Sequence, residues 1–127
     1  MIDSQSIARG QIYLAMLEGR GSEQRGKRPV VILQNDVGNL HSATTLIAPI
    51  TSSAKKSHLP VHVILDNKNL HKNSMALLEQ IQVIDKSRLR RYIGRLSNRD
   101  IAKINKALAI SLDIKTVGEI NNQNFAT

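Results

Sequence analysis

The sequence predicts an α+β fold in which a small, twisted antiparallel β-sheet is closed by a C-terminal helix. Two observations favour the sheet. Residues 29–34 and 44–50 are short, mainly apolar runs, and an Asn-Asp-Val-Gly-Asn segment typical of a turn lies between them. One observation favours the helix: towards the end of the chain, apolar residues recur at intervals of three and four. The two apolar runs are expected to pair as antiparallel strands buried on both faces.

The remaining sheet elements are predicted from shorter apolar stretches bounded by polar ones. Further strands are expected at 11–16, 61–65, 75–84 and 92–96. The third of these is expected to bend near Glu79 and Gln80. Residues 17–27 carry three glycines and many polar side chains, and are interpreted as a long loop.

The C-terminal helix has a start signal and an apolar face. Ser97 is predicted to cap it, because Asp100 follows three residues later as in a short capping box. The apolar stripe consists of Ile101, Ile104, Leu108 and Leu112. At 127 residues the chain is long enough for one domain with one modest core. We expect that domain over residues 1–116 and a frayed tail over 117–127.

The charge balance is the strongest compositional signal. The formal net charge is +8, which is typical of proteins that meet polyanions such as nucleic acids or acidic partners. Three aromatic residues are too few for a base-stacking platform, so charge and hydrogen bonds would have to do most of the reading of any bound RNA. The basic side chains cluster in two stretches: Arg20, Arg25, Lys27 and Arg28, then Lys86, Arg88, Arg90, Arg91, Arg95 and Arg99.

Composition also limits the cellular compartment and the cofactors that the sequence predicts. No apolar run approaches the ~20 residues that a membrane span needs, and the N-terminus shows no signal-peptide pattern. The chain has no cysteine, which excludes disulfides and thiolate metal sites and fits a cytoplasmic protein. No Gly-x-x-x-x-Gly-Lys-Ser/Thr loop is present, so nucleotide hydrolysis is not expected. No cofactor, no metal and no membrane partner are expected.

One segment carries a specific motif. Residues 21–29 read Gly-Ser-Glu-Gln-Arg-Gly-Lys-Arg-Pro and lead a charged loop into the first buried strand. This segment resembles the Gly-Ser-Glu-Gln-x-Gly-x-Arg-Pro motif of the MazF/PemK/Kid toxin endoribonucleases. Matching segments follow in order over roughly residues 9–114: 9–13, 50–52, 59–63, 77–81, 84–89 and the last helix. The chain departs from the family pattern at Gln11, where an acid is common, and in the loops 54–58 and 67–73.

The resemblance implies a fold, an activity and partners. The fold would be a small sheet resembling an SH3-like barrel with a C-terminal helix. The activity would be sequence-specific, metal-independent cleavage of single-stranded RNA by the toxin of a type II toxin–antitoxin system, which inhibits translation and growth. Attack by the 2′-OH would leave a 2′,3′-cyclic phosphate and a 5′-OH. The protein would form a homodimer and bind a cognate acidic antitoxin.

Three residues are candidates for catalysis. The fork of donors on Arg28 suits phosphate oxygens, and the family's catalytic arginine matches this position. Because a guanidinium does not readily deprotonate, Arg28 is interpreted as a charge stabiliser and acid rather than a base. Thr51 ends a strand and matches the family's second catalytic residue. Glu23 could be the missing base, or it could instead hold Arg28 or pair with a base edge.

Six residues are candidates for RNA binding, and most have an ordinary structural alternative. Ser22 could bind the scissile phosphate or simply form a turn. Arg9, Asn35 and Gln80 could read bases of an unstacked strand. Their alternatives are a terminal charge, a turn former and a polar residue at a sheet edge. Gln24 in the motif and Leu59 in a matching segment complete the set.

Other functions predict different signatures. A pancreatic-type ribonuclease would need paired histidines, but His41, His58, His62 and His71 show no repeated or metal-ligand spacing, and none is expected to be catalytic. His62, on a β-run, is interpreted as structural. A CcdB-like toxin that binds DNA gyrase without catalysis remains an alternative, as does a basic nucleic-acid-binding regulator. The intact Arg-Pro and Ile-Thr elements favour the nuclease.

Overall fold

The computed structural model describes residues 7–52 and 59–115, and these form one antiparallel sheet packed against a long helix. The predicted α+β class is confirmed. The helices are α1 (Asp36–His41) and α2 (Asn98–Leu112), and a 3-10 turn spans Lys86–Arg88. The strands are β1 (Gln11–Glu18), β2 (Arg25–Ile32), β3 (Thr44–Thr51), β4 (His62–Ile64), β5 (Met75–Leu77), β6 (Gln82–Asp85) and β7 (Leu89–Arg95).

The strand order explains how distant motifs meet. The order is β4-β5-β3-β2-β1-β7, and β6 pairs with β3 beside this path. Each pairing is antiparallel, including the predicted pair of β2 and β3. β3 binds β6 with its first half, through Thr44 to Ile47, and β5 with its last two residues, Ile50 and Thr51. The end of β3 therefore lies beside β5.

One loop prediction and two strand predictions differ from the structure in their bounds. The loop predicted over 17–27 spans only 19–24, because Leu17 is buried and pairs with Gly26, which extends both strands. The predicted continuous strand over 75–84 is two strands, and the break falls at the expected bend near Glu79 and Gln80. β7 begins at Leu89, earlier than predicted, because Leu89 is buried and pairs with Ala15.

The turn predicted at 35–39 is instead the start of helix α1. The side chain of Asn35 accepts a hydrogen bond from the backbone N–H of Gly38, which makes it the helix N-cap. Asn39 is fully buried, donates to the carbonyl of Gln34 at 2.8 Å, and accepts from the hydroxyl of Thr45 at 2.8 Å. Asn and Asp favour both turns and helix caps, so the sequence pattern alone did not separate the two.

The sheet is buried on both faces, as predicted for its central strands. On one face, Ile12, Val31 and Ala48 belong to a cluster that also includes Ile104 and Ala107 of α2. On the other face, the alternate residues Tyr13 and Val30 belong to a second cluster. Side chains that alternate along each strand therefore pack into two separate cores, one on each face of the sheet, and neither face is left to solvent in the central strands.

Helix α2 begins as predicted but buries a slightly different stripe. The hydroxyl of Ser97 accepts from the backbone N–H of Asp100 at 3.1 Å. Ala107 is buried in place of Leu112, which is 57% exposed on the last turn. The Asp100 carboxylate is buried and also accepts from the backbone N–H of Asp66 at 3.0 Å, so it ties the helix to the β4–β5 loop.

Some predictions remain untested by the fold. The tail over 117–127 and the loop at 54–58 lie outside the described residues. The single-domain boundary at residue 116 stays a prediction. Within the described ranges, no helix is both long enough and apolar enough to cross a membrane.

Candidate RNA-binding and catalytic site

A basic cleft of about 300 Å³ lies at the end of the sheet where β2, β3 and β7 come together with the β4–β5 loop. Among the described residues that line it, three carry positive charge and none is acidic. This charge pattern is suited to a phosphate group. The lining residues are Leu14, Lys27, Arg28, Pro29, Ile50, Ser52, Asn69, Leu70, His71, Ser74, Arg91 and Ile93.

Arg28 lies at the point where β2 becomes buried. It pairs with the fully buried Ala15, and the strand after it is buried from Val30 onwards. Its Nε donates to the carbonyl of Arg25 at 3.0 Å, which fixes part of the side chain. No other hydrogen bond or ion pair engages the Arg28 side chain within the described ranges, so both terminal nitrogens can donate to an anion.

Thr51 ends β3 between two residues of the cleft wall. Ile50 and Ser52 line the cleft, and Thr51 itself is 8% exposed and pairs with Met75 of β5. Thr51 itself is not among the lining residues, because successive side chains of a strand point to opposite faces, but its backbone lies beside the cleft that contains Arg28, 23 positions earlier in the sequence.

Two asparagines and a serine anchor the β4–β5 loop that forms one wall of the cleft. The side-chain amides of Asn67 and Asn69 donate to the carbonyls of Arg95 and Ile93 on β7, at 3.1 and 2.8 Å. Ser74 donates twice to the carbonyl of His71, from its hydroxyl at 2.7 Å and from its backbone N–H at 3.1 Å. These bonds hold the loop on the strand that carries Arg91.

Glu23 lies in a different cleft. That second cleft is lined by Glu23, Glu79, Gln80, Ile81 and Gln82, and shares no residue with the basic one. The Glu23 carboxylate accepts from the backbone N–H of Arg20 at 2.9 Å, which closes the loop on itself. Among the described residues its carboxylate makes no ion pair with Arg28.

The side chain of Gln80 holds the loop of residues 19–24, here called the motif loop, against the β5–β6 turn. Its side-chain oxygen accepts from the backbone N–H of Gln24 at 2.9 Å, and its side-chain nitrogen donates to the carbonyl of Ser22 at 3.2 Å. Gln24 also has a buried side-chain oxygen with no hydrogen-bond partner among the described residues. The structure thus brings together three of the predicted RNA-binding residues, Ser22, Gln24 and Gln80.

Arg9 and Asn35 lie together at the start of α1, where each has internal partners. The Arg9 side chain donates to the carbonyl of Leu33 at 2.9 Å and to the side chain of Asn105 on α2 at 2.7 Å. Asn35 caps α1. Both side chains therefore stabilise the fold through internal hydrogen bonds, and their role in recognising RNA bases stays a prediction.

Leu59 connects to the second cleft through a histidine. Its backbone N–H points to Nδ1 of His62 at 3.4 Å, and Nε2 of His62 lies 2.7 Å from the carboxylate of Glu79. Leu59 is 48% exposed, and its contact with RNA stays a prediction. His62 is paired within the protein, in agreement with its interpretation as structural.

Several residues of the basic cleft were not singled out from the sequence. Lys27 and Arg91 belong to the two basic clusters, and that clustering was the available signal. His71 and Ser74 lie in a loop without a recognisable pattern, and Ser52 lies beside a motif residue. Nothing in the sequence placed the β4–β5 loop against β7.

An antiparallel sheet closed by a C-terminal helix, with a cleft whose described lining residues carry positive charge and no carboxylate, is the arrangement that the comparison with known families has to explain. Residues 8–112 match the family described as "PemK-like, MazF-like toxin of type II toxin-antitoxin system". The chain belongs to this family, and the resemblance drawn from its motifs is confirmed.

Relatives and solved structures agree with this assignment. The chain is 45% identical over 114 residues to Endoribonuclease MazF of Staphylococcus saprophyticus subsp. saprophyticus, covering 87% of this chain and 95% of the relative. A mycobacterial endoribonuclease in complex with its cognate antitoxin is 25% identical, with a TM-score of 0.73 over 87% of this chain and 99% of that one. The Mycobacterium tuberculosis toxin MazF-mt6 is 27% identical, with a TM-score of 0.71 over 84% and 99%.

Proposed function

We propose that this chain is the toxin of a type II toxin–antitoxin system and acts as an endoribonuclease on single-stranded RNA. The observation that carries the proposal is the basic cleft around Arg28, in a chain of the PemK-like, MazF-like family. The 45% identity to an endoribonuclease over nearly the whole chain supports the same activity.

Arg28 stabilises the charge that develops on the phosphate. Its two free terminal nitrogens can donate to two oxygens of one phosphate, a geometry that Lys cannot reproduce. Preorganised donors of this kind are often the largest single contribution to catalysis. Lys27 and Arg91 hold the neighbouring negative charge of the RNA backbone in the same cleft.

The 2′-OH of the RNA is the nucleophile, and the products are a 2′,3′-cyclic phosphate and a 5′-OH. This route needs only proton transfer and charge stabilisation, which side chains can supply without a metal ion. Thr51 contributes its hydroxyl as a donor to a phosphate oxygen. Glu23 remains a candidate base for this reaction, although it would have to act from the second cleft.

Base reading takes place beside the phosphate cleft. The motif loop and the β5–β6 turn present side-chain amides and carboxylates, which pair with the edges of unstacked bases. Ser22, Gln24, Leu59 and Gln80 lie on this side of the molecule, and Arg9 and Asn35 lie at the start of α1. The RNA sequence that is cleaved depends on which of these residues hydrogen-bond to a base.

The protein acts as a homodimer and is inhibited by an acidic antitoxin. A net charge of +8 attracts an acidic partner and accelerates the encounter. One of the similar structures is itself a complex with an antitoxin. Light scattering should give twice the 14.1 kDa mass of the chain at micromolar concentration, and an acidic cognate partner should abolish cleavage at saturation.

Incubating the purified protein with a long RNA in EDTA tests the activity. We expect discrete fragments from the native protein and at least about a 100-fold slower reaction from Arg28→Ala, the scale of losing one charge-stabilising donor. Arg25→Ala is the matched control, because Arg25 is an exposed arginine of the same strand that does not line the cleft. RNA left intact by the native protein would favour a gyrase-binding toxin or a nucleic-acid-binding regulator.

A further inference from the structure

Neither Arg28 nor Thr51 accounts for the proton transfer that the proposed reaction requires. Moving a proton from the 2′-OH to the leaving 5′-oxygen needs a group that exchanges protons near neutral pH. A guanidinium does not readily give up a proton, and a threonine hydroxyl is far too weak an acid or base. Among the described residues that line the cleft, His71 has the only side chain of a type that titrates near neutrality.

Glu23, the carboxylate next to the motif, is poorly placed for that role. It lines the second cleft, and its carboxylate is already the acceptor for the backbone N–H of Arg20. A catalytic base must come within hydrogen-bond reach of the proton that it takes. His71 shares a cleft of about 300 Å³ with Arg28, a volume near the lower end for ligand pockets.

The structure also fixes the backbone that carries His71. Ser74 is buried and donates two hydrogen bonds to the carbonyl of His71. Asn69 ties the same loop to the carbonyl of Ile93 on β7 at 2.8 Å. The imidazole is exposed and makes no hydrogen bond among the described residues, so it is available to a ligand while its backbone is held. Such support is typical of residues that must meet a substrate precisely.

We propose that His71 is the acid–base residue of RNA cleavage, contrary to the expectation from the spacing of the histidines in the sequence. The assignment rests on the function proposed above. The neutral imidazole takes the proton of the 2′-OH as the bond from O2′ to phosphorus forms. The bond from phosphorus to O5′ then breaks, and the imidazolium returns the proton to O5′. The histidine ends as it began, and the proton has moved from one oxygen of the RNA to the other.

The charged groups around His71 are cations supplied by two strands. Lys27 and Arg28 come from β2 and Arg91 comes from β7, and no carboxylate lines the cleft within the described ranges. These three cations compensate the negative charge of the phosphate and of the pentacoordinate intermediate. Because these cations act by their charge, the proton transfer itself is assigned to His71.

The decisive experiment compares His71→Gln with two matched variants. Glutamine keeps a polar side chain but cannot exchange protons. His41→Gln removes an exposed histidine of α1 outside the cleft. Glu23→Gln removes the competing base and keeps an oxygen that can accept from Arg20. Cleavage of one RNA is measured from pH 5 to 9, with and without added imidazole, after circular dichroism has shown that each variant folds.

We expect His71→Gln to lose about 100-fold or more in rate. The native rate should rise with pH across the range, as catalysis by a base requires, and this limb should vanish in the variant. Added imidazole should restore part of the activity. His41→Gln should keep both the rate and the profile, whereas loss of the pH-dependent limb in Glu23→Gln instead of His71→Gln would assign the proton transfer to Glu23.

Two outcomes would overturn the assignment. A folded His71→Gln protein within about threefold of the native rate would remove His71 from the reaction. A larger loss that leaves the pH profile unchanged and resists imidazole would reduce it to a binding residue. In either case cleavage by the native protein leaves the proposed function standing, whereas an inactive native protein refutes the function itself.

Discussion

The side chain of Gln80 binds the backbone of Gln24, 56 positions earlier in the chain, at 2.9 Å. The same amide donates to the carbonyl of Ser22, so one residue holds two points of the motif loop. This relationship explains why the loop keeps a defined shape although neither strand pairing nor an apolar core includes residues 19–24.

Replacing Gln80 with alanine should loosen the motif loop. Two hydrogen bonds are lost and the N–H of Gln24 loses its partner, which should lower the free energy of unfolding by about 1–3 kcal/mol. Amide hydrogen exchange at Gln24 should accelerate markedly. Gln82→Ala is the control, because Gln82 lines the same cleft and its side chain makes no hydrogen bond within the described ranges. Unchanged exchange at Gln24 in the Gln80 variant would contradict the clamp.

Replacing Thr51 with valine should show whether the hydroxyl group, rather than the volume of the side chain, is needed for cleavage. Valine fills the same volume at the end of β3 but cannot donate to a phosphate oxygen, so we expect cleavage to slow by about 100-fold or less. Thr51→Ser should retain most of the activity, since it keeps the hydroxyl. Single-turnover kinetics at saturating RNA give the rates. Equal rates for the two variants would show that the hydroxyl takes no part in the reaction.

Replacing the ribose at the cleaved position with deoxyribose should block cutting there. The proposed nucleophile is the 2′-OH, and without it no cyclic phosphate can form. Mass spectrometry of fragments from unmodified RNA should show 2′,3′-cyclic phosphate and 5′-OH ends. Efficient cleavage of the deoxy-substituted strand would require a different nucleophile, and a 5′-phosphate on the product would point to water.

Replacing Asp100 with alanine should destabilise the whole domain without acting on the site directly. The buried carboxylate accepts from the backbone N–H of Asp66, and its loss leaves that N–H without a partner. We expect about 1–3 kcal/mol less stability in urea unfolding, with the specific activity of folded protein retained. Asp66→Ala is the comparison, because it removes a neighbouring carboxylate and keeps the N–H. Equal losses in both variants would refute the role of this bond.

The sequence alone determined the elements whose signal is local. Runs of apolar residues gave β2 and β3 with their antiparallel pairing, because a strand buried on both faces has few polar positions. Ser97 gave the start of α2, because a helix cap depends on residues three positions apart. The motif at 21–29 and the matching segments before and after it identified the family, and the resemblance made Arg28 and Thr51 candidates for the site.

Only the tertiary structure decided which residues share a cleft. His71 and Arg91 come from a loop and a strand that meet because Asn67 and Asn69 bond to β7, a contact between segments more than twenty positions apart. The structure also separated Glu23 from Arg28, which are close in sequence, by placing them on two different clefts. Side-chain hydrogen bonds to distant backbone atoms leave no periodic trace in a single sequence, so proximity of this kind is fixed only when the chain folds.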